Sequence, residues 1–178
     1  MIIETSKPIW MDLCPTQWHD ISSEWPRLKE IAKQRDDQKG GYASTKNWTV
    51  AGSTHFTGVC GEFCTSMEIG LPIDDTLRIE GDPGYDFILK NTSYDSKTAN
   101  FWTSPDLKEF INRKKWADIY ILVALKNYRW ARVVGWATLE QLRAAIPRNY
   151  GHGDMLSITC DELCEWKQLG LPNQLRMP

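Results

Sequence analysis

The sequence predicts a single α/β domain, and three observations carry that expectation. Phe56, Val59, Cys60, Phe63, Cys64 and Met67 recur at helical spacing along one stripe. Short alternating segments follow at 77–80, 85–90 and 93–98, which is the period of half-buried strands. Residues 119–125 then form an unbroken apolar run rich in β-formers, as expected of a strand covered on both faces. A chain of 178 residues, 42% hydrophobic, is long enough to bury one full core.

Taken in order, Ser22 or Ser23 caps a helix running to about residue 35, and Gly40-Gly41 ends it. Trp10, Trp18 and Trp25 dock this N-terminal segment, read as a Trp-rich appendage over 1–50. A second helix is expected from residue 53 or 54 to Gly70. Three strands come next, with turns at Gly81-Asp-Pro-Gly84 and at Asn91-Thr92. Ser104 followed by Pro105 predicts another helix to about residue 115. After the buried strand, Lys126-Asn127 turns into an alternating strand over 128–136. Thr138-Leu-Glu-Gln141 is a capping box for a helix to about 146, and Thr159-Cys-Asp-Glu162 reads as another, opening a short helix that stops at Gly170. The expected organisation is a core over 54–146 with a helical extension over 147–178.

Charge and composition narrow the function classes. The net charge of −2 excludes a chain that is basic throughout, so a nucleic-acid binder of this composition must sort its cations onto one face. Arg113-Lys-Lys115 is the densest basic run, and by itself it reads as a solvated helix end. No segment approaches the ~18 apolar residues of a membrane span. The first residues lack a signal-peptide pattern, and five cysteines fit reduced thiols better than a disulfide framework. A cytoplasmic protein is therefore expected, and the sequons at Asn47 and Asn91 carry no weight there.

The chemistry concentrates in Gly81-Asp-Pro-Gly-Tyr-Asp86 and Asp95-Ser-Lys97. Side chains two apart on a strand share a face, so Asp95 and Lys97 project together, and a hairpin brings Asp86 near the Asp95 end. Two carboxylates in close contact repel unless a cation neutralises them. Magnesium or manganese accepts one or two carboxylates, completing its octahedral shell with water and phosphate oxygens. Lys97 would orient or help activate the attacking water, or stabilise developing phosphate charge. Asp82 reads mainly as turn chemistry. Glu62 lies off the apolar stripe beside Gly58 and Ser66, small neighbours that let another element approach closely.

The pattern Asp86-(x)8-Asp95-x-Lys97 resembles the PD-(D/E)XK nuclease superfamily, whose signature is an acidic residue, a variable gap and then (Asp/Glu)-x-Lys. The resemblance implies an αβββαβ, restriction-endonuclease-like core with a mixed central sheet flanked by helices. It implies a magnesium- or manganese-dependent deoxyribonuclease in which Glu62, Asp86 and Asp95 hold the metal and Lys97 completes the catalytic set. The Gly-Asp-x-Gly-x-Asp form resembles small, phage-encoded members. DNA is the substrate so implied, with RNA left open, and two copies pairing as a homodimer would match double-strand cutting. Asp95 stands where Glu is commoner, which would draw the ion nearer the strand.

Two other readings stand beside this one. A protein of this fold without catalysis would bind a partner protein, in the manner of a phage–host inhibitor, with its tryptophans at the interface. Separately, Cys60-(x)3-Cys64 and Cys160-(x)3-Cys164 each place two sulfurs one helical turn apart, so four thiolates could hold zinc or an iron–sulfur cluster. Cys60 and Cys64 fall inside the apolar stripe, however, which favours buried free thiols. His19, His55 and His152 lack ligand spacing, although His55 shares a flank with Glu62.

Overall fold

The strand at 119–125 anchors the molecule, as its apolar run requires. The computed structural model describes residues 16–38, 54–73, 83–101, 103–151 and 153–171. Eight strands are defined among them: β1 (His19–Asp20), β2 (Phe87–Leu89), β3 (Thr92–Ala99), β4 (Asp106–Phe110), β5 (Ile119–Lys126), β6 (Trp130–Thr138), β7 (Pro147–Asn149) and β8 (Asp154–Thr159). Three α-helices accompany them: α1 (Trp25–Gln38), α2 (Thr54–Ile69) and α3 (Leu139–Ala144). One sheet has the order β1-β6-β5-β3-β2 and a second the order β4-β8-β7. The larger sheet is mixed, because β3 and β5 run parallel while its other pairs are antiparallel.

Alternation along β5 sorts two cores. Ile121, Val123 and Leu125 face a cluster with Phe56, Val59, Cys60 and Cys64 of α2 and Leu28 and Ile31 of α1. Tyr120, Leu122 and Ala124 face the other way, packing with Leu107, Leu142, Leu156 and Ile158 from β4, α3 and β8. The molecule therefore has three layers, with the larger sheet between two helices and a second, smaller sheet. The α/β class expected from the sequence is what the chain adopts. Among the described residues no helix is long and apolar enough to cross a membrane.

Several expectations need correction. No helix forms between 104 and 115, because Leu107 and Glu109 point inward while Lys108 and Phe110 point out, and β4 pairs with β8 along that period of two. The element between β3 and β5 is thus a strand of the second sheet, which departs from the αβββαβ order. The extension over 147–178 is not helical where it is described: it supplies β7, β8 and one short 3-10 turn, Trp166–Leu169. Thr159 does meet Glu162, with its N–H and hydroxyl donating to Oε2 at 3.0 and 2.7 Å. That contact closes only a turn, since Trp136 exchanges backbone hydrogen bonds with Cys164 and draws the next residues onto β6. Residues 16–38 are no appendage either, for Ile21, Leu28 and Ala32 are fully buried and β1 extends the larger sheet. The expected strand at 77–80 lies outside the described residues, as do Asp82 and Trp10.

Two local features set β2 and α2 against β3. Lys90 and Asn91 both have positive φ, as a two-residue turn of this kind demands, and they fix the β2–β3 register with Phe87 opposite Tyr94. Gly61 lets α2 approach β3, since a Cβ there would lie 1.8 Å from Thr98 Oγ1. Gly61→Ala is expected to lower the unfolding free energy by about 1–3 kcal/mol through overpacking. Urea denaturation of G61A alone and with Thr98→Ala checks this, because removing the obstructing hydroxyl should recover part of the loss.

Candidate active site

Asp86 enters the site from the turn before β2. Its N–H donates to Tyr94 O at 2.8 Å, and its Oδ2 accepts from Ser96 N–H at 2.7 Å, so both ends of the residue are tied to β3. Gly84, two residues earlier, has φ +90, and a Cβ there would sit 2.6 Å from Lys115 Cβ. The turn carrying Asp86 is consequently pressed against the Arg113–Lys115 segment. Burial, then the negative charges of Glu62 and Asp95, push the Asp86 carboxyl well above the ordinary carboxylate value, against the pull of Ser96 N–H and Lys97.

Asp95 and Lys97 share the face of β3 that looks toward the second sheet, as their spacing predicts. Lys97 Nζ lies 3.0 Å from Asp95 Oδ2 and 2.8 Å from Glu109 Oε2. Arg113 completes the square, 2.8 Å from Asp95 Oδ2 and in direct contact with Glu109 Oε2. Glu109 and Arg113 do not stand out as site residues in the sequence, because the 106–115 segment reads as a helix there. The signal that could have found them is the Leu107/Glu109 alternation, which turns Glu109 toward β3. Burial pushes the Asp95 carboxyl up against the opposing pull of Lys97 and Arg113. It also works against the Lys97 ammonium, but Asp95 and Glu109 outweigh it and hold the amine above its ordinary value. Lys97 is therefore a cation and hydrogen-bond donor at neutral pH, not a base. The buried Asp95 Oδ2 therefore sits between two cations, Lys97 and Arg113.

Glu62 approaches from α2, across the sheet plane. It is only 6% exposed, so it faces the protein and not solvent. Arg35 of α1 grips it in a fork, with Nη1 donating to Oε1 at 2.5 Å and Nη2 to Oε2 at 2.8 Å. His55 Nδ1 pairs with Asp36 Oδ1 at 3.1 Å, so consecutive residues of α1 are both bound to α2. Thr65 accepts from Ser96 Oγ at 2.9 Å, holding α2 over the strand that carries Asp95 and Lys97. Glu62 and Asp95 thus press on Asp86 from its two sides.

Asp86 and Asp95 supply oxygen donors of the kind a hard divalent cation takes, with Asp86 under-neutralised and Asp95 Oδ2 already beside Lys97 and Arg113. Both Glu62 oxygens are taken by Arg35. Among the described residues no group of three or more His, Cys, Asp or Glu side chains is arranged to hold a metal ion. The described cysteines divide between the layers: Cys60 and Cys64 sit in the helix-side core and Cys160 packs against the opposite one, and none of these forms a disulfide. Burial, then Glu62, pushes the Cys60 thiol up to about 12, as for an inert core sulfur. His19 pairs with Glu68 at 2.6 Å, and His152 lies outside the described residues. No protein-family model matches the chain, and no curated protein or solved structure compared with it is similar.

Proposed function

We propose that this chain is a metal-dependent nuclease, with a restriction-endonuclease-like core and DNA as its substrate. The observation that carries the reading is the place of Asp86, whose Oδ2 accepts from Ser96 N–H between Asp95 and Lys97, with burial, then Glu62 and Asp95, raising its carboxyl. Such crowding is what a divalent cation relieves. Asp86 and Asp95 are the residues that would hold magnesium or manganese, and Glu62 would join them by exchanging Arg35. When bound, the ion supplies charge neutralisation at the phosphoryl group and acidifies a water molecule.

The chain's own residues do the rest. Lys97, held protonated between Asp95 and Glu109, donates to the attacking water or to a non-bridging phosphate oxygen as negative charge builds there. Glu109 fixes the direction of that ammonium, and Arg113 adds a second cation against the same phosphate. In the step, a water oxygen bonds to phosphorus while the ester oxygen leaves with the electron pair. The water's proton passes to solvent, and solvent reprotonates the leaving oxygen.

Cleavage of plasmid and linear DNA, and of RNA, with magnesium or manganese tests this reading. Asp86→Asn is expected to lower the rate at least about 100-fold, the scale of losing one preorganised electrostatic group, with the circular dichroism spectrum intact. Wild-type protein that neither cleaves these substrates nor binds a divalent ion by calorimetry would sink the nuclease. The result would favour a partner-binding protein, in which the cations on Glu62, Asp95 and Glu109 are permanent.

A further inference from the structure

Arg113-Lys-Lys115 is not a helix end but a turn leading from β4 toward β5, built against the site. Arg113 points inward to Asp95 and Glu109, and its Nε donates to Lys115 O at 2.7 Å, which fixes the turn. Gly84, two residues from Asp86, packs on Lys115. Lys114 and Lys115 are exposed. Trp116 follows, half-buried against the second core, and Arg143 of α3 lies over its ring with Cζ 5.2 Å from the centroid. β6 ends at Thr138 opposite Ile119, so α3 starts at the same end of the sheet as this turn. Lys114, Lys115 and Arg143 are thus three exposed cations at the sheet end where β5 begins beside Asp95, in a chain whose net charge is −2. The Asp118 carboxylate is turned toward β3 instead, where it accepts from Ser93 N–H and Oγ–H at 2.8 and 2.7 Å.

We infer that Lys114, Lys115 and Arg143 form a phosphate-binding strip that holds the backbone of a nucleic acid flanking the bond at Asp86 and Asp95. Which bond is cut rests on the nuclease reading, but binding along the strip is separate from it. The charges are spaced along a turn and a helix instead of converging on one point, which suits a polymer of phosphates better than a single small anion. Trp116 pre-orders Arg143 by stacking, so less side-chain freedom is lost when the guanidinium meets phosphate. Contacts to backbone phosphates carry no base information, so binding along the strip is independent of sequence.

The test is fluorescence anisotropy of the full chain in EDTA, where metal-dependent cleavage cannot interfere. The probes are a labelled duplex and the matching single-stranded DNA, titrated across a range of salt. Wild-type affinity should fall steeply with salt. For K114A/K115A/R143A the log–log slope should be shallower by about 2.7 on duplex and about 2.1 on single strand, three phosphate contacts fewer. The variant K126A/R129A, at the opposite end of β5, should keep the wild-type slope. An unchanged slope in the triple variant, an equal loss in K126A/R129A, or no wild-type binding at low salt would each overturn the strip. Retained binding without cleavage in any metal would instead defeat the nuclease reading and leave the strip standing.

Discussion

Lys97→Met is expected to cost about 3–5 kcal/mol of folding stability, the range for removing one partner of a buried charge pair. In Tm this is roughly 6–20 °C for a chain of this size. The size follows from the square of charges. Asp95 and Glu109 are 4% and 5% exposed, and with Lys97 gone they face the single guanidinium of Arg113. One buried carboxylate is then left without compensation, and the remaining methylene stem offsets little of that. Glu109→Gln in the same chain restores the balance, leaving Asp95 with Arg113, so the double variant should be more stable than the two single losses predict. A coupling of about 1–3 kcal/mol is expected from urea denaturation of the four proteins in the cycle. Losses that simply add would mean that Lys97 and Glu109 do not act together, and the role of Glu109 in aiming the ammonium would fall with them.

How much of this was legible in the sequence depended on whether local pattern or distant pairing decides the element. The 119–125 run and the 54–70 helix stand where periodicity put them, because their apolar faces are continuous and long. So does the Thr138 capping box, whose reciprocal bonds, Thr138 N to Gln141 Oε1 and Gln141 N to Thr138 Oγ1, lie within four residues. The failures have one cause. Residues 104–115 carry good helix-start chemistry in Ser104-Pro105, but β8, some fifty residues downstream, offers a ladder that a helix could not use. In the same way Thr159 and Glu162 meet as a cap would require, and no helix follows because Trp136 claims the backbone of Cys164. Both were decided by partners remote in sequence.

The candidate site divides along the same line. Asp95 and Lys97 share a strand, so their common face needed only the period of two. Asp86 needed the hairpin as well, which the turn residues Lys90 and Asn91 supply. Glu109 and Arg113 could not be placed until β4 was known to be a strand. The fork from Arg35 to Glu62 depends on how α1 crosses α2, which no motif encodes. Sequence therefore supplied the carboxylates and the lysine, and tertiary packing supplied the cations that balance them.

The second large effect concerns Asp86 without metal. Asp86→Asn is expected to make the metal-free protein more stable at pH 7–8, by at least about 1 kcal/mol or roughly 2–4 °C in Tm. Burial, then Glu62 and Asp95, raises its carboxyl above the ordinary 3.8, so the folded chain holds this proton more tightly than the unfolded one. Between those two values the folded state binds more protons, and stability must fall as pH rises. The contribution of Asp86 is therefore fully present below about 3.8 and is lost as pH climbs through the raised value. Asparagine keeps an oxygen for Ser96 N–H but carries no charge, so the gap between D86N and wild type should be near zero at pH 3.5 and widen toward neutrality. Magnesium should reverse the order, because an ion at 100 times its Kd adds about 2.7 kcal/mol to a fold that binds it and nothing to one that does not. Differential scanning fluorimetry at several pH values, with EDTA or magnesium, reads both effects in one experiment. D86N that melts below wild type at pH 8 in EDTA would mean that the Asp86 carboxylate is already compensated within the fold. The crowding that carries the nuclease reading would then be gone.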